Sequence, residues 1–347
     1  MLQTETWRDW IPADGDTFTT EEGFIFNVFG YEHPEDRVLS FLKYIPSKFR
    51  QSFNLQFLER TWKYGSLRLL RAEKLYTAEN YRQLLRAFRK DFPHYIYFCP
   101  FREKDVVSSP LNAIKRVYAP RPCLNSLKRK RKKDKLQKTA LSLLELLSVE
   151  SNIPMHDFGI HGSIALNMHT PESDIDFVVY GTQNFRGLEI TIDRLVEEGT
   201  LSYVISNRLD AARLFKGRYS GTIFMYNAVR KPEEIHSIYG TQKYSQIKHV
   251  NFKCAISDDR EAVFRPAIYK ITDYQPKNPS STVPEHMIPK LVVSMIGCYR
   301  NIAKQRDEVE VSGMLEQVED IKSHGIFHQV VVGTGENEDE YIWPSQS

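Results

Sequence analysis

The chain has 347 residues, 41% hydrophobic and 26% charged, with a net charge of +3 at pH 7, which is enough for two or three domains with apolar cores. So small a net charge excludes a globally basic nucleic-acid binder and confines any such role to a local patch. Cys99, Cys123, Cys254 and Cys298 are scattered without a CxxC pair, which argues against a disulfide scaffold or a cysteine-based zinc site and suits a reducing compartment. The opening MLQTETWRDW lacks the basic-then-apolar order of a signal peptide. No apolar run approaches the roughly 18 residues of a membrane span, so the expectation is a soluble, cytoplasmic protein with no membrane partner.

Residues 24–31 (FIFNVFGY) and 38–45 (VLSFLKYI) are predicted strands, rich in aromatic and β-branched residues and joined by EHPED. A helix is predicted over Ala78–Phe88, with Thr77 as N-cap and Tyr81, Leu84, Leu85 and Phe88 on one face. His94–Cys99 follows as a strand. Residues 1–122 thus form an N-terminal α+β module that ends near Pro110, Pro120 and Pro122 and shows no catalytic constellation. Lys128–Lys138 carries eight basic residues against Asp134 and runs into Leu136, Ala140, Leu143, Leu144 and Leu147, which share a helical face. One long helix with a basic start is expected. Positive charge at a helix N-terminus opposes the helix dipole, so Lys130, Arg131, Lys132 and Lys133 are candidates for contact with a nucleic acid, a solvated face being the alternative.

The stretch from His156 to Gly181, HDFGIHGSIALNMHTPESDIDFVVYG, carries the chemistry. A short strand (Phe158, Ile160) leads into Gly162-Ser163, seven helix-compatible residues follow, and Thr170-Pro171 breaks them. Asp174-Ile175-Asp176 then opens a strand to Tyr180. Alternation along a strand places Asp174 and Asp176 on one face, roughly 6–7 Å apart, where two carboxylates can hold a divalent ion. Gly162 and Ser163 offer backbone N–H groups and a hydroxyl to a phosphate at a strand-to-helix turn.

Gly162-Ser163 followed ten residues later by Asp174-Ile175-Asp176-Phe177 resembles the defining pattern of the DNA polymerase β-like nucleotidyltransferase superfamily. Ser173 before the first aspartate and Tyr180-Gly181 after the strand are similar to small archaeal members. The resemblance implies that Asp174 and Asp176 bind Mg²⁺ or Mn²⁺ and that Gly162, Ser163 and Ser173 hold an NTP by its phosphates. It further implies transfer of a nucleoside monophosphate to a hydroxyl acceptor, RNA among the possibilities. Such members also place a third carboxylate on a later strand. Asn251 stands where it is expected in Val250–Ile256, Glu233 and Glu234 lie in the loop before, and Asp258 is taken as that residue. Leu166 and Asn167 replace an Arg and Gly frequent in the family. His161, His169, Lys216 and Arg218 are secondary candidates for phosphate contact, with satisfied or solvated polar roles as the alternative.

A helix over Gly187–Glu198 and strands at Thr222–Val229 and Val250–Ile256 complete a central mixed-sheet nucleotidyltransferase fold at 123–262. Residues 263–347, with strands at Glu308–Val311 and Gln329–Val332, make a C-terminal β-rich unit. The fold class is α+β and multidomain. A nucleotide- or nucleic-acid-binding protein that keeps the fold without catalysis is the competing function, and the third carboxylate discriminates the two.

Overall fold

The computed structural model describes residues 10–75 and 77–345. Three sheets, each with its own apolar core, organise them. In the N-terminal module, β1 (Thr17–Thr20), β2 (Ile25–Val28), β3 (Arg37–Pro46), β4 (Trp62–Tyr64) and β5 (Leu67–Leu70) precede α1 (Ala78–Asp91). β6 (Ile96–Cys99), β7 (Lys104–Pro110) and β8 (Ile114–Tyr118) follow. The sheet runs β4-β5-β3-β2-β1-β8, with β7 on β3 and β6 on β7. Thr77 caps α1 by accepting from the Asn80 N–H, and Leu84, Ala87 and Phe88 pack on Phe18, Phe24 and Phe26. Phe24, Phe26 and Tyr44 are buried, so these rings are core.

The central unit comprises α2 (Pro120–Arg129), α3 (Lys135–Ser151), β9 (Phe158–Ile160), α4 (Gly162–Ala165), β10 (Ile175–Tyr180) and α5 (Thr182–Glu197), then β11 (Ser202–Tyr203), α6 (Arg208–Arg213), β12 (Lys216–Tyr219) and β13 (Thr222–Val229). Its sheet runs β11-β12-β13-β10-β9, with β10 parallel to β13 and antiparallel to β9. The period of two divides β10 between its faces. Ile175, Phe177 and Val179 join Leu143, Leu144 and Leu147 of α3 and Leu188 and Ile192 of α5 in one core. Val178 and Tyr180, on the face of Asp176, pack instead with Val229 and Tyr31 of the N-terminal module.

The single helix expected over the basic run is two helices. Lys130 takes an extended conformation after α2, and Asp134 starts α3 in a capping box with Gln137. Lys128 and Arg129 therefore lie at a helix C-terminus, where they complement the dipole, and the Lys133 ammonium donates to the Lys128 and Lys130 carbonyls. A second correction concerns the strand read at Val250–Ile256 in the central unit. It is part of β14 (Gln242–Asp258), which pairs with β15 (Ala267–Pro276) and with β17 (Glu308–Asp320). Through β16 (Leu291–Ser294) and β18 (Ile326–Val332) these strands close into a barrel, and β19 (Tyr341–Pro344) adds to β17. Closure pairs segments more than fifty residues apart, and Phe252, Cys254, Val309, Val311 and Val330 fill the interior.

A buried ion pair ties the barrel to the N-terminal module. Arg265, 7% exposed, donates through Nε to Asp14 Oδ1 (2.7 Å) and through Nη2 to the Val28 carbonyl (2.9 Å), while Asp14 is 2% exposed. Removing one partner strands a charge in the interior. Asp14→Ala should therefore lose about 3–5 kcal/mol in urea unfolding, and an unchanged midpoint would contradict this lock.

Candidate active site

The turn between β9 and α4 and the start of β10 are joined at the backbone, since His161 N–H donates to the Asp176 carbonyl (3.1 Å). Gly162 has φ +66°, a region open to glycine. A Cβ there would overlap Asp176 Oδ2 and approach its Cβ and Cγ to 2.9 Å. The carboxylate of Asp176 thus lies directly against the Gly162-Ser163 turn. α4 is a single turn, shorter than the helix-compatible run, because Asn167 turns left-handed at φ 54° and the Met168 N–H returns to the Ser163 carbonyl (2.8 Å). Ser173 shapes the loop before Asp174. Its hydroxyl accepts from Thr170 N–H (2.9 Å) and its own N–H donates to the Thr170 carbonyl (3.0 Å).

Burial is the largest influence on both aspartates and raises their pKa, since it penalises the ionised form. Lys216, Arg60 and Arg218 pull Asp174 back down. For Asp176, Lys43 lowers, Asp174 raises and Arg71 lowers. The sheet register explains part of this set. Asp176 pairs with Met225 and Met225 with Lys216, so Lys216 stands two strands away on the same row. Burial drives His161 down to about 3, helped by Lys43, Arg300 and Arg265. The ring is neutral, and its buried Nε2 has no partner. His169 Nε2 donates to the Asp134 carboxylate (2.9 Å), which ties the basic loop to the segment that leads to Asp174.

Lys43, Arg60 and Arg71 were invisible to sequence reading. They lie in the N-terminal module, about a hundred or more residues from the motif, and only tertiary packing brings them to it.

Asp258 is not brought to the pair. It ends β14 in the barrel, held by Arg260 (2.6 Å) and Lys270 (3.2 Å), which with the Arg260 backbone depress its pKa. The neighbouring Asp259 pairs with Arg186 in α5 (2.6 Å). α5 begins past the far end of β10, roughly 16 Å from Asp176 at about 3.3 Å per strand residue. Asn251 belongs to the barrel, and Glu234 accepts from the Thr182 and Lys231 N–H groups (2.8 Å each). β13, beside β10, holds no Asp or Glu. Among the described residues no three His, Cys, Asp or Glu side chains gather as a metal cluster. Two half-buried carboxylates beside a glycine turn nevertheless fit Mg²⁺, which binds through one or two carboxylates and completes its shell with water and substrate phosphates.

Residues 146–215 match the family described as the nucleotidyltransferase domain, a span that holds the Gly162-Ser163 turn, both aspartates and α5. This part of the chain is similar to the nucleotidyltransferase domains of the DNA polymerase β-like class. Over 349 aligned residues the chain is 24% identical to the uncharacterized protein MJ1086 of Methanocaldococcus jannaschii, covering 94% of this chain and 97% of that protein. No solved structure matches it at a significant level. No described helix is long and apolar enough to cross a membrane.

The contact at Gly162 is open to test. Gly162→Ala should cost about 1–3 kcal/mol from the left-handed backbone alone, seen as a lower melting temperature, and should displace Asp176 enough to weaken divalent-ion binding. A variant as stable as the wild type would contradict the contact.

Proposed function

We propose that the chain is a divalent-ion-dependent nucleotidyltransferase that moves a nucleoside monophosphate from an NTP to a hydroxyl acceptor. The seating of the Asp176 carboxylate against the Gly162-Ser163 turn, with Asp174 two residues away, carries this reading. Asp174 and Asp176 would hold Mg²⁺ or Mn²⁺, and the N–H groups of the turn with the Ser163 hydroxyl would bind the donor's phosphates. A bound ion supplies charge neutralisation at the phosphates and a lowered pKa at the attacking hydroxyl. Like charges at Asp174 and Asp176, both partly desolvated, favour cation binding before or with the nucleotide.

That no third carboxylate gathers with the pair among the described residues favours a second reading, in which the same site binds nucleotide without transfer. Calorimetry tests the shared part. NTP affinity should require Mg²⁺ and be lost in Asp176→Asn, and equal affinity with and without Mg²⁺ would sink both readings. Incorporation of label from α-labelled NTP into RNA, absent in Asp174→Asn, separates transfer from binding alone.

RNA is the acceptor proposed because Lys130, Arg131 and Lys132 are exposed between α2 and α3, beside the loop that His169 ties to Asp134. Phosphate contacts release counterions, so affinity should drop steeply between about 50 and 200 mM salt. Changing these three residues to Gln should flatten that slope. Wild-type-like binding by the variant would leave the run a solvated surface and point to another acceptor.

A further inference from the structure

Five cations act electrostatically on the two aspartates. Lys216, Arg60 and Arg218 bear on Asp174, and Lys43 and Arg71 on Asp176. Among the described residues, none of the five forms an ion pair with any carboxylate, whereas Arg89, Arg121, Arg186, Arg230 and Arg265 each do. Arg71 Nε is buried without a hydrogen-bond partner. An unpaired cluster of this kind is unfavourable by itself, because like charges repel in a poorly solvated site. It becomes favourable when an anion of high charge density occupies it.

Three of the cations come from adjacent strands or strand ends of the N-terminal sheet, and the register shows how they converge. β3 pairs Ile45 with Leu70, so one step on, Tyr44 stands beside Arg71. Before β4 the register shifts: Phe57 bridges Ala72 and the Leu58 N–H donates to the Arg71 carbonyl (3.0 Å), so the segment that carries Arg60 runs alongside Arg71. Lys43 is the extra residue of a bulge, since β2 pairs Phe26 with Leu42 but Ile25 with Tyr44. A bulge re-aims one side chain relative to the strand's alternation. This corner of the sheet is pressed onto the turn after α4, where Ile25, Tyr44, Trp62, Leu69 and Tyr118 pack with Leu166 and Met168. Arg60 reaches across to the Thr170 hydroxyl (3.4 Å), in the loop that presents Asp174.

We propose that Lys43, Arg60 and Arg71 of the N-terminal module form one wall of the phosphate site, opposite Gly162-Ser163, and grip the β- and γ-phosphates of the donor. The N-terminal module is then half of the nucleotide site rather than an appended partner-binding unit. Guanidinium groups suit this role because their planar forks engage phosphate oxygens in pairs. The inference rests on the nucleotidyltransferase reading and specifies which residues select a triphosphate over a monophosphate.

The test is calorimetric titration of the full chain with ATP, GTP, CTP, UTP and the matching monophosphates, each with Mg²⁺. Wild type is compared with the double variant Arg60→Gln/Arg71→Gln, with Arg71→Lys, and with Asp176→Asn. The double variant should bind the preferred triphosphate at least about tenfold more weakly, as expected for lost hydrogen bonds to charged groups. Its monophosphate affinity should stay within about twofold, and Arg71→Lys should fall between. Thermal melts establish folding, and Lys43→Gln carries the same comparison should the double variant not fold. If the double variant binds triphosphate like wild type while Asp176→Asn does not, the wall is overturned and the nucleotide site stands. An equal loss for tri- and monophosphates also overturns it, as a structural effect. No nucleotide binding by the wild type overturns both.

Discussion

The contact on which the site depends is that between the Asp176 carboxylate and the backbone of Gly162. It requires a residue without a Cβ at a positive φ, and it requires β9 and β10 to be neighbours in a fixed register. Both conditions are met within one strand–turn–strand unit whose buried face is welded to α3 and α5. Two partly desolvated carboxylates, one of them against the Gly162 backbone, are poorly satisfied alone. The energetic cost is carried by the large apolar core beneath, a common arrangement where a fold supports a strained or charged site.

The opposite face of β10 explains the rest of the architecture. A free sheet face carrying Asp176, Val178 and Tyr180 would expose apolar surface and leave the aspartates in water. The N-terminal module covers it with Tyr31 and the Gly15 loop, where a Cβ on Gly15 would come within 2.8 Å of Val229. The buried Arg265–Asp14 pair fixes the barrel to the same module. The three sheets thus meet around one site, and the module without a catalytic signature in its sequence supplies much of the site's positive charge.

The chemical motif was legible in the sequence because its parts are local. Gly162, Ser163, Asp174 and Asp176 lie within fifteen residues, and strand periodicity alone predicts that both aspartates share a face. What needed the structure was long-range. Lys43, Arg60 and Arg71 carry no pattern of their own and gain meaning because their neighbours Tyr44, Trp62 and Leu69 pack against Leu166 and Met168. β14 reads as a central strand by position, yet barrel closure with β17 claims it, and Asp258 goes with it. The break in the basic helix was written locally, as Asp134 followed three residues later by Gln137, but the density of lysines masked a capping box. Met225 opposite Asp176 leaves the row without a carboxylate on the adjacent strand.

The most direct measurement is a crystal structure of the chain with Mn²⁺ and a non-hydrolysable NTP analogue, with the ion located by its anomalous signal. The account predicts Mn²⁺ between Asp174 and Asp176 and the triphosphate along Gly162-Ser163. Manganese or triphosphate bound elsewhere, with both aspartates uncoordinated, would contradict it.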